Sequence, residues 1–178
     1  MAMSMGTLLL ALVFLSATSV LAEDYCVYTV FVKTGWLPKA GTDANIGAAF
    51  YDASGNSMTI SNFTDWGHSL SSNNDYFERN KVDVFSGPGE CLDAPICGMN
   101  LTSDGSGAHH GWFSDSVQIS AARYGQECSN HYFNVDQWLA TDVYPYSLTA
   151  NRDDCVADIP DQVESARSHI KMTRKVSH

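Results

Sequence analysis

The sequence predicts an all-β fold, an antiparallel β-sandwich of about eight strands. Three observations carry that reading. Runs of strand length are rich in β-branched and aromatic residues, turn-forming residues separate them, and no helical period intervenes between Tyr25 and Leu139. A chain of 178 residues accommodates one such domain with a sizeable core and hardly two.

Residues 25–32 form the first predicted strand. It is apolar on both faces, which suits a central strand or one whose outer face lies under a loop. The loop 35–41 that follows carries Trp36 and Leu37 between turn-formers. Residues 45–51 and 57–60 pair as a hairpin around the turn 52–56. Short strands are expected at 76–78, 81–85 and 96–101, and a last one at 132–139. The organising strand is 110–119, entered through Asp104-Gly105-Ser106-Gly107. Strict alternation places Phe113, Asp115, Val117 and Ile119 on one, apolar side, with Trp112, Ser114, Ser116 and Gln118 opposite. A carboxylate on that apolar side is costly unless bonded, so Asp115 is expected to accept from backbone N–H groups or a Trp indole.

The two ends read differently. Residues 8–15 are an apolar run too short to span a bilayer comfortably, and Val20-Leu21-Ala22 offers a cleavage point. Residues 1–22 are therefore expected to be a signal peptide, with a domain over 23–155 in the secretory pathway, in the endoplasmic reticulum or outside the cell. Pro160, acids in the following turn, bases in the last, and Val163, Ala166 and Ile170 on one face predict a short amphipathic helix or tail over 156–178. Asn62 and Asn100 head glycosylation sequons. Of five cysteines, Cys26 is expected to bridge to Cys155 and Cys91 to Cys97, leaving Cys128 free. The absence of a C-x-x-C pair and the histidine spacing argue against a zinc knuckle.

The net charge is −10, and between Glu23 and Val163 six bases face nineteen acids. Such a body repels phosphate backbones, which excludes nucleic acid as a natural partner. Anionic lipid is accessible to it only through an intervening cation.

Three segments in order resemble the PLAT domain, the β-sandwich named after polycystin, lipoxygenase and alpha-toxin. Tyr28-Thr29-Val30 through Thr34-Gly35 to Ala40-Gly41-Thr42-Asp43-Ala44-Asn45 is similar to its opening. Phe77-Glu78-Arg79 with Asp83-Val84-Phe85 is similar to its central segment, and 112–119 to its closing one. Asn80 and Ser114 depart from the family pattern, where Gly and an apolar residue are usual. The leader, the lone domain and the cysteines resemble the small plant PLAT proteins linked to stress tolerance and embryo expression, which makes the apoplast the extracellular option. The resemblance implies two four-stranded sheets and binding of lipid, membrane or a partner protein without chemistry.

For a cation, calcium wants several oxygens, and Thr42, Asp43, Asn73, Asn74 and Asp75 offer them in two loops. The resemblance implies that these loops meet at one end, so calcium is expected on Thr42, Asp43, Asn74 and Asp75. Lys39 stands where some calcium-binding relatives carry an acid. Trp36 and Leu37, side by side in the adjoining loop, are the expected membrane or partner contact. Two other classes compete: a hydrolase or lipid-modifying enzyme using His109 and His110, and a disulfide-stapled structural protein of the cell exterior. The first lacks a Gly-x-Ser-x-Gly elbow and a His-Glu-x-x-His helix.

Overall fold

The computed structural model describes residues 25–71 and 75–155; the expected signal peptide (1–22), Asn73 and Asn74, and the expected C-terminal helix or tail (156–178) lie outside the described residues. Described are β1 (Tyr25–Thr34), β2 (Ile46–Asp52), β3 (Ser57–Ile60), β4 (His68–Ser69), β5 (Val82–Glu90), β6 (Ile96–Ser103), β7 (Trp112–Ala122), β8 (Ser129–Leu139) and β9 (Thr149–Asp153). They build a five-stranded sheet in the order β4-β5-β1-β7-β8 and a four-stranded sheet in the order β3-β2-β6-β9, antiparallel throughout. This is the expected all-β sandwich, but one sheet has five strands where the resemblance implies four, because the two-residue β4, within the polar connection after β3, pairs with the edge of β5.

β1 lies at the centre of its sheet because alternate residues can be buried along its whole length. Cys26, Tyr28, Val30, Val32 and Thr34 point into the core, against Ile46, Ala48 and Phe50 of β2 and Met99 and Leu101 of β6. On its outer face Tyr25 and Val27 are exposed, while Thr29, Phe31 and Lys33 are partly covered. The β2–β3 hairpin closes where the sequence places it. Asp52 is buried, and its carboxylate accepts from the Ser54 N–H at 2.9 Å and the Asn56 N–H at 3.0 Å, replacing the ladder bonds the turn cannot make.

Two strand expectations are corrected. Residues 76–78 are not a strand: Phe77 has a φ of 57°, its ring is buried, and its N–H donates to Asp83 Oδ2 at 2.7 Å. A short aromatic run here is a turn driven into the core. β9 was not expected, because Thr149–Asp153 is polar; it is an edge strand that needs only Ala150 buried to hold its place.

The organising strand corrects a third expectation. Thr34 pairs with Ser114 while Lys33 pairs with Ser116, so Asp115 is an extra residue relative to β1, a β-bulge. Beyond the bulge the faces exchange. Trp112 joins Val117 and Ile119 in the core, Ser114 is buried too, and Phe113 turns away to meet the Trp138 ring edge-on at 5.4 Å. Asp115 thus escapes the core position that alternation assigned to it. It accepts from Ser116 Oγ at 3.2 Å, and the Trp112 indole N–H goes instead to Thr34 Oγ1 at 2.9 Å.

The disulfides correct the expected pairing. Cys26 bonds to Cys91 and Cys97 to Cys155, with Cα separations of 5.0 and 4.8 Å. Strand register is the reason. Tyr25 sits opposite Glu90 and Gly98 opposite Asp153, so each bridge joins neighbouring strands of one sheet, whereas Cys26 and Cys155 belong to different sheets. Cys128 is free and exposed, as expected.

Two outcomes follow from this frame. The bridges close segments with sequence separations of 65 and 58 residues. In the chain-entropy account each contributes about 4 kcal/mol. Cys97→Ala/Cys155→Ala should lower the unfolding free energy by about that amount in a urea titration, and a non-reduced peptide map should join Cys26 to Cys91. The second concerns Asp104, which ties the start of β2 to the end of β6. Its carboxylate accepts from the Ser106 N–H at 2.9 Å, from the Asn45 N–H at 3.0 Å and from Asn45 Nδ2 at 2.7 Å. These bonds, those from Ser106 foremost, hold its pKa down at about 2 against an ordinary 3.8. A depressed carboxylate stabilises the fold fully above the unfolded value, and that contribution disappears as pH falls through the folded one. Urea titrations between pH 3.8 and about 2 should therefore show a shallower loss of stability in Asp104→Asn than in the parent chain.

Candidate functional site

One end of the sandwich gathers the segments that the sequence singles out. The chain leaves β1 at Thr34, and Gly35 is clamped from both sides, donating to the Phe113 carbonyl at 2.9 Å and accepting from the Asn80 N–H at 2.9 Å. There is no room for a side chain at Gly35, since a Cβ would lie 2.3 Å from the Phe113 ring. The loop then makes a tight turn, Ala40 N–H to Leu37 carbonyl at 3.1 Å, with Lys39 in the left-handed region at φ 65°. Ala40 returns to the frame by accepting from the Phe113 N–H at 3.0 Å. Anchored at both ends, the turn holds Trp36 in solvent with 69% of its surface exposed and Leu37 half-buried.

The Gly41–Asp43 segment crosses the loop that precedes β5. Thr42 N–H donates to the Phe77 carbonyl at 3.3 Å, and Asp43 N–H to the His109 carbonyl at 3.1 Å. The Thr42 hydroxyl is buried and already occupied: it donates to the His109 carbonyl at 2.7 Å and accepts from the Ala44 N–H at 3.1 Å. Its role in the structure is to fix the loop. Phe77 is fixed in turn by Asp83, whose carboxyl is pushed up by burial and drawn back by the Phe77 N–H. This bond gives a physical reason for the spacing of Phe77 and Asp83.

Between the two loops lies a cleft of about 350 Å³ lined by Thr42, Asp43, Asn45, Thr64, Asp75 and Phe77 among others. Asp43 and Asp75 therefore share one cleft, as the sequence expects, and Asn74 lies outside the described residues. Sequence reasoning missed Asn45 and Thr64 on its walls. It also missed that His109 is the partner of Asp43: the carboxylate accepts the His109 N–H at 3.2 Å and contacts the His109 ring at Nδ1, 3.0 Å away. Carboxylates, an amide and hydroxyls are hard oxygen donors and fit calcium in kind. Asp43 and Asp75 would hold it; Asn45 lines the same cleft, but its amide oxygen accepts from Asn62 Nδ2 at 3.2 Å. Among the described residues no group of three or more His, Cys, Asp or Glu side chains is placed to bind a metal ion.

His109 and His110 part company. His110 Nε2 lies 3.7 Å from Asp142 Oδ1, on the loop after β8, and the two rings serve different carboxylates. The sequons also differ in setting. Asn62 Oδ1 accepts from the Thr64 N–H and hydroxyl, and its Nδ2 donates to Asp65 and Asn45. Asn100 sits mid-strand in β6 between Ala49 and Asn151, its side-chain oxygen buried without a partner.

Comparison with known proteins agrees with this architecture. The family described as Embryo-specific protein 3 (ATS3) matches residues 13–148. PLAT domain-containing protein 1 of Arabidopsis thaliana is 44% identical over 164 residues, covering 92% of this chain and 91% of the relative. PLAT domain-containing protein 2 of the same plant is 43% identical over 169 residues, covering 94% and 92%. Among solved structures, coral 8R-lipoxygenase, for which calcium activation via a C2-like domain is described, superimposes with a TM-score of 0.53 at 21% identity, over 83% of this chain and 21% of that one. Matched by the family over residues 13–148 and by relatives at 43–44% identity over more than nine-tenths of its length, the chain belongs to the Embryo-specific protein 3 (ATS3) family of PLAT-domain proteins.

Proposed function

We propose that this chain is a binding module without chemistry of its own, that it docks on a membrane surface through the Trp36 end of the sandwich, and that calcium assists the docking. The observation that carries the reading is a juxtaposition. An exposed Trp on a rigidly clamped loop adjoins a cleft that holds two carboxylates, Asp43 and Asp75, from two different loops. Transfer of Trp36 and Leu37 from water into an interface contributes roughly 3 to 6 kcal/mol, a marginal anchor alone. The acidic body opposes approach to anionic lipid, and calcium held by Asp43 and Asp75 offsets that charge. His109 keeps the Asp43 carboxylate in place until a cation takes over. The remaining elements of the reading are a secretory location in the endoplasmic reticulum or apoplast, a glycan at Asn62, and a role in plant stress tolerance. They rest on the leader, the sequon and the resemblance to the plant PLAT proteins.

Vesicle flotation tests the docking. The mature protein should float with anionic vesicles in calcium and be released by chelator. Trp36→Ala/Leu37→Ala and Asp43→Ala should each weaken that binding by about tenfold or more with unchanged far-ultraviolet dichroism. Wild-type protein that ignores anionic vesicles in calcium would reject the membrane and leave a protein partner as the ligand.

A further inference from the structure

On the far side of His109 from the acidic cleft lies a second depression of about 160 Å³. Its walls include Lys39, His110, Gly111, Trp138, Asp142 and Val143. They are mostly apolar, yet charges of both signs stand on the rim. Lys39 comes from the clamped loop, His110 from the entry to β7, and Asp142 from the loop after β8. His110 and Asp142 are 3.7 Å apart, too far for a direct hydrogen bond, and both are partly exposed. The Trp138 ring is half-buried, held edge-on against the buried Phe113. A Cβ on Gly111 would stand 3.9 Å from Trp138 Cζ3, so the lack of a side chain there keeps the six-membered ring of the indole open to the depression.

An indole beside a carboxylate recognises an alkylated ammonium, by the ring quadrupole and by charge. An ammonium of Lys and an imidazole on the same rim offer N–H donors to a phosphate. We propose that this depression binds a quaternary-ammonium phosphate zwitterion of the phosphocholine type. The cation lies between Trp138 and Asp142, and the phosphate is met by Lys39 and His110. Apolar walls with opposite charges at the rim match such a ligand better than a simple anion, which Asp142 repels, or a simple cation, which Lys39 repels. His109, which lines this depression, contacts Asp43, which lines the acidic cleft, so calcium and headgroup would bind at neighbouring sites. The inference extends the membrane reading by naming a headgroup, and the same chemistry could equally come from the free zwitterion.

The test follows the Trp138 indole N–H and the Gly111 amide by ¹H–¹⁵N correlation spectra of the mature chain. Phosphocholine should shift both saturably, and choline alone or inorganic phosphate alone should bind about tenfold more weakly. Asp142→Asn, which removes an exposed charge, and Gly111→Leu, which fills the depression and leaves every charge in place, should each weaken phosphocholine by about tenfold with the rest of the spectrum unchanged. No saturable shift, or wild-type affinity retained by both variants, overturns the site. Phosphatidylcholine vesicles separate the sources. Free zwitterion bound without vesicle binding leaves a site for a soluble ligand and rejects membrane docking. Vesicle binding in calcium that both variants retain, with no response to phosphocholine, rejects the site and leaves the docking reading intact.

Discussion

The hydrogen bond from the Trp112 indole to the Thr34 hydroxyl is the contact on which this end of the molecule depends. Both groups are fully buried, so neither could be left unbonded without a desolvation cost of about 1 to 3 kcal/mol. The bond is possible only because the bulge at Asp115 turns Trp112 inward, on the same side as Ser114, which is the register partner of Thr34 at the end of β1. Trp112 then meets the Phe77 ring edge-on at 5.6 Å, and Phe77 is held by Asp83 on β5. Three strands and two loops are thereby referred to one point in the core. The exposed loop that begins at Gly35 inherits its position from that point.

Much of the architecture was legible in the sequence, and what was not has local physical causes. The β2–β3 hairpin was readable because Asp52 and Asn56 do in the structure what such residues do in turns generally, satisfying backbone N–H groups. The faces of β7 were not, since a rule of strict alternation has no place for one extra residue. Even so, the costly position it gave Asp115 was a sign that the rule fails there. Edge strand β9 buries little and so leaves little trace in hydropathy. The disulfide pairs depend on register between strands far apart in sequence, which spacing alone does not encode.

The site shows the same division. Residue types announced an oxygen-rich cleft, and Asp43 and Asp75 do share it. The roles within the cleft were hidden. Thr42 looks like a ligand in a sequence, but in three dimensions its hydroxyl is consumed in tying down the loop. The adjacent histidines look like a pair, yet each faces a carboxylate brought in by another segment, Asp43 for one and Asp142 for the other. Such divergence follows from the bend at residues 107–109, ahead of β7, where the chain turns between the two histidines.

Each disulfide remains within a single sheet: Cys26–Cys91 joins the ends of β1 and β5, and Cys97–Cys155 the ends of β6 and β9. Covalent bonds therefore secure alignment inside the layers, while cohesion between the layers is left to apolar contact and to a few hydrogen bonds between β9 and β8, such as Arg152 Nε to the Asn134 carbonyl at 2.7 Å. An oxidised chain that loses its core keeps two strand pairings tethered at the correct ends. Regaining the native state then starts from two partly aligned leaves, and part of the long-range search that slows β-sandwiches is already complete.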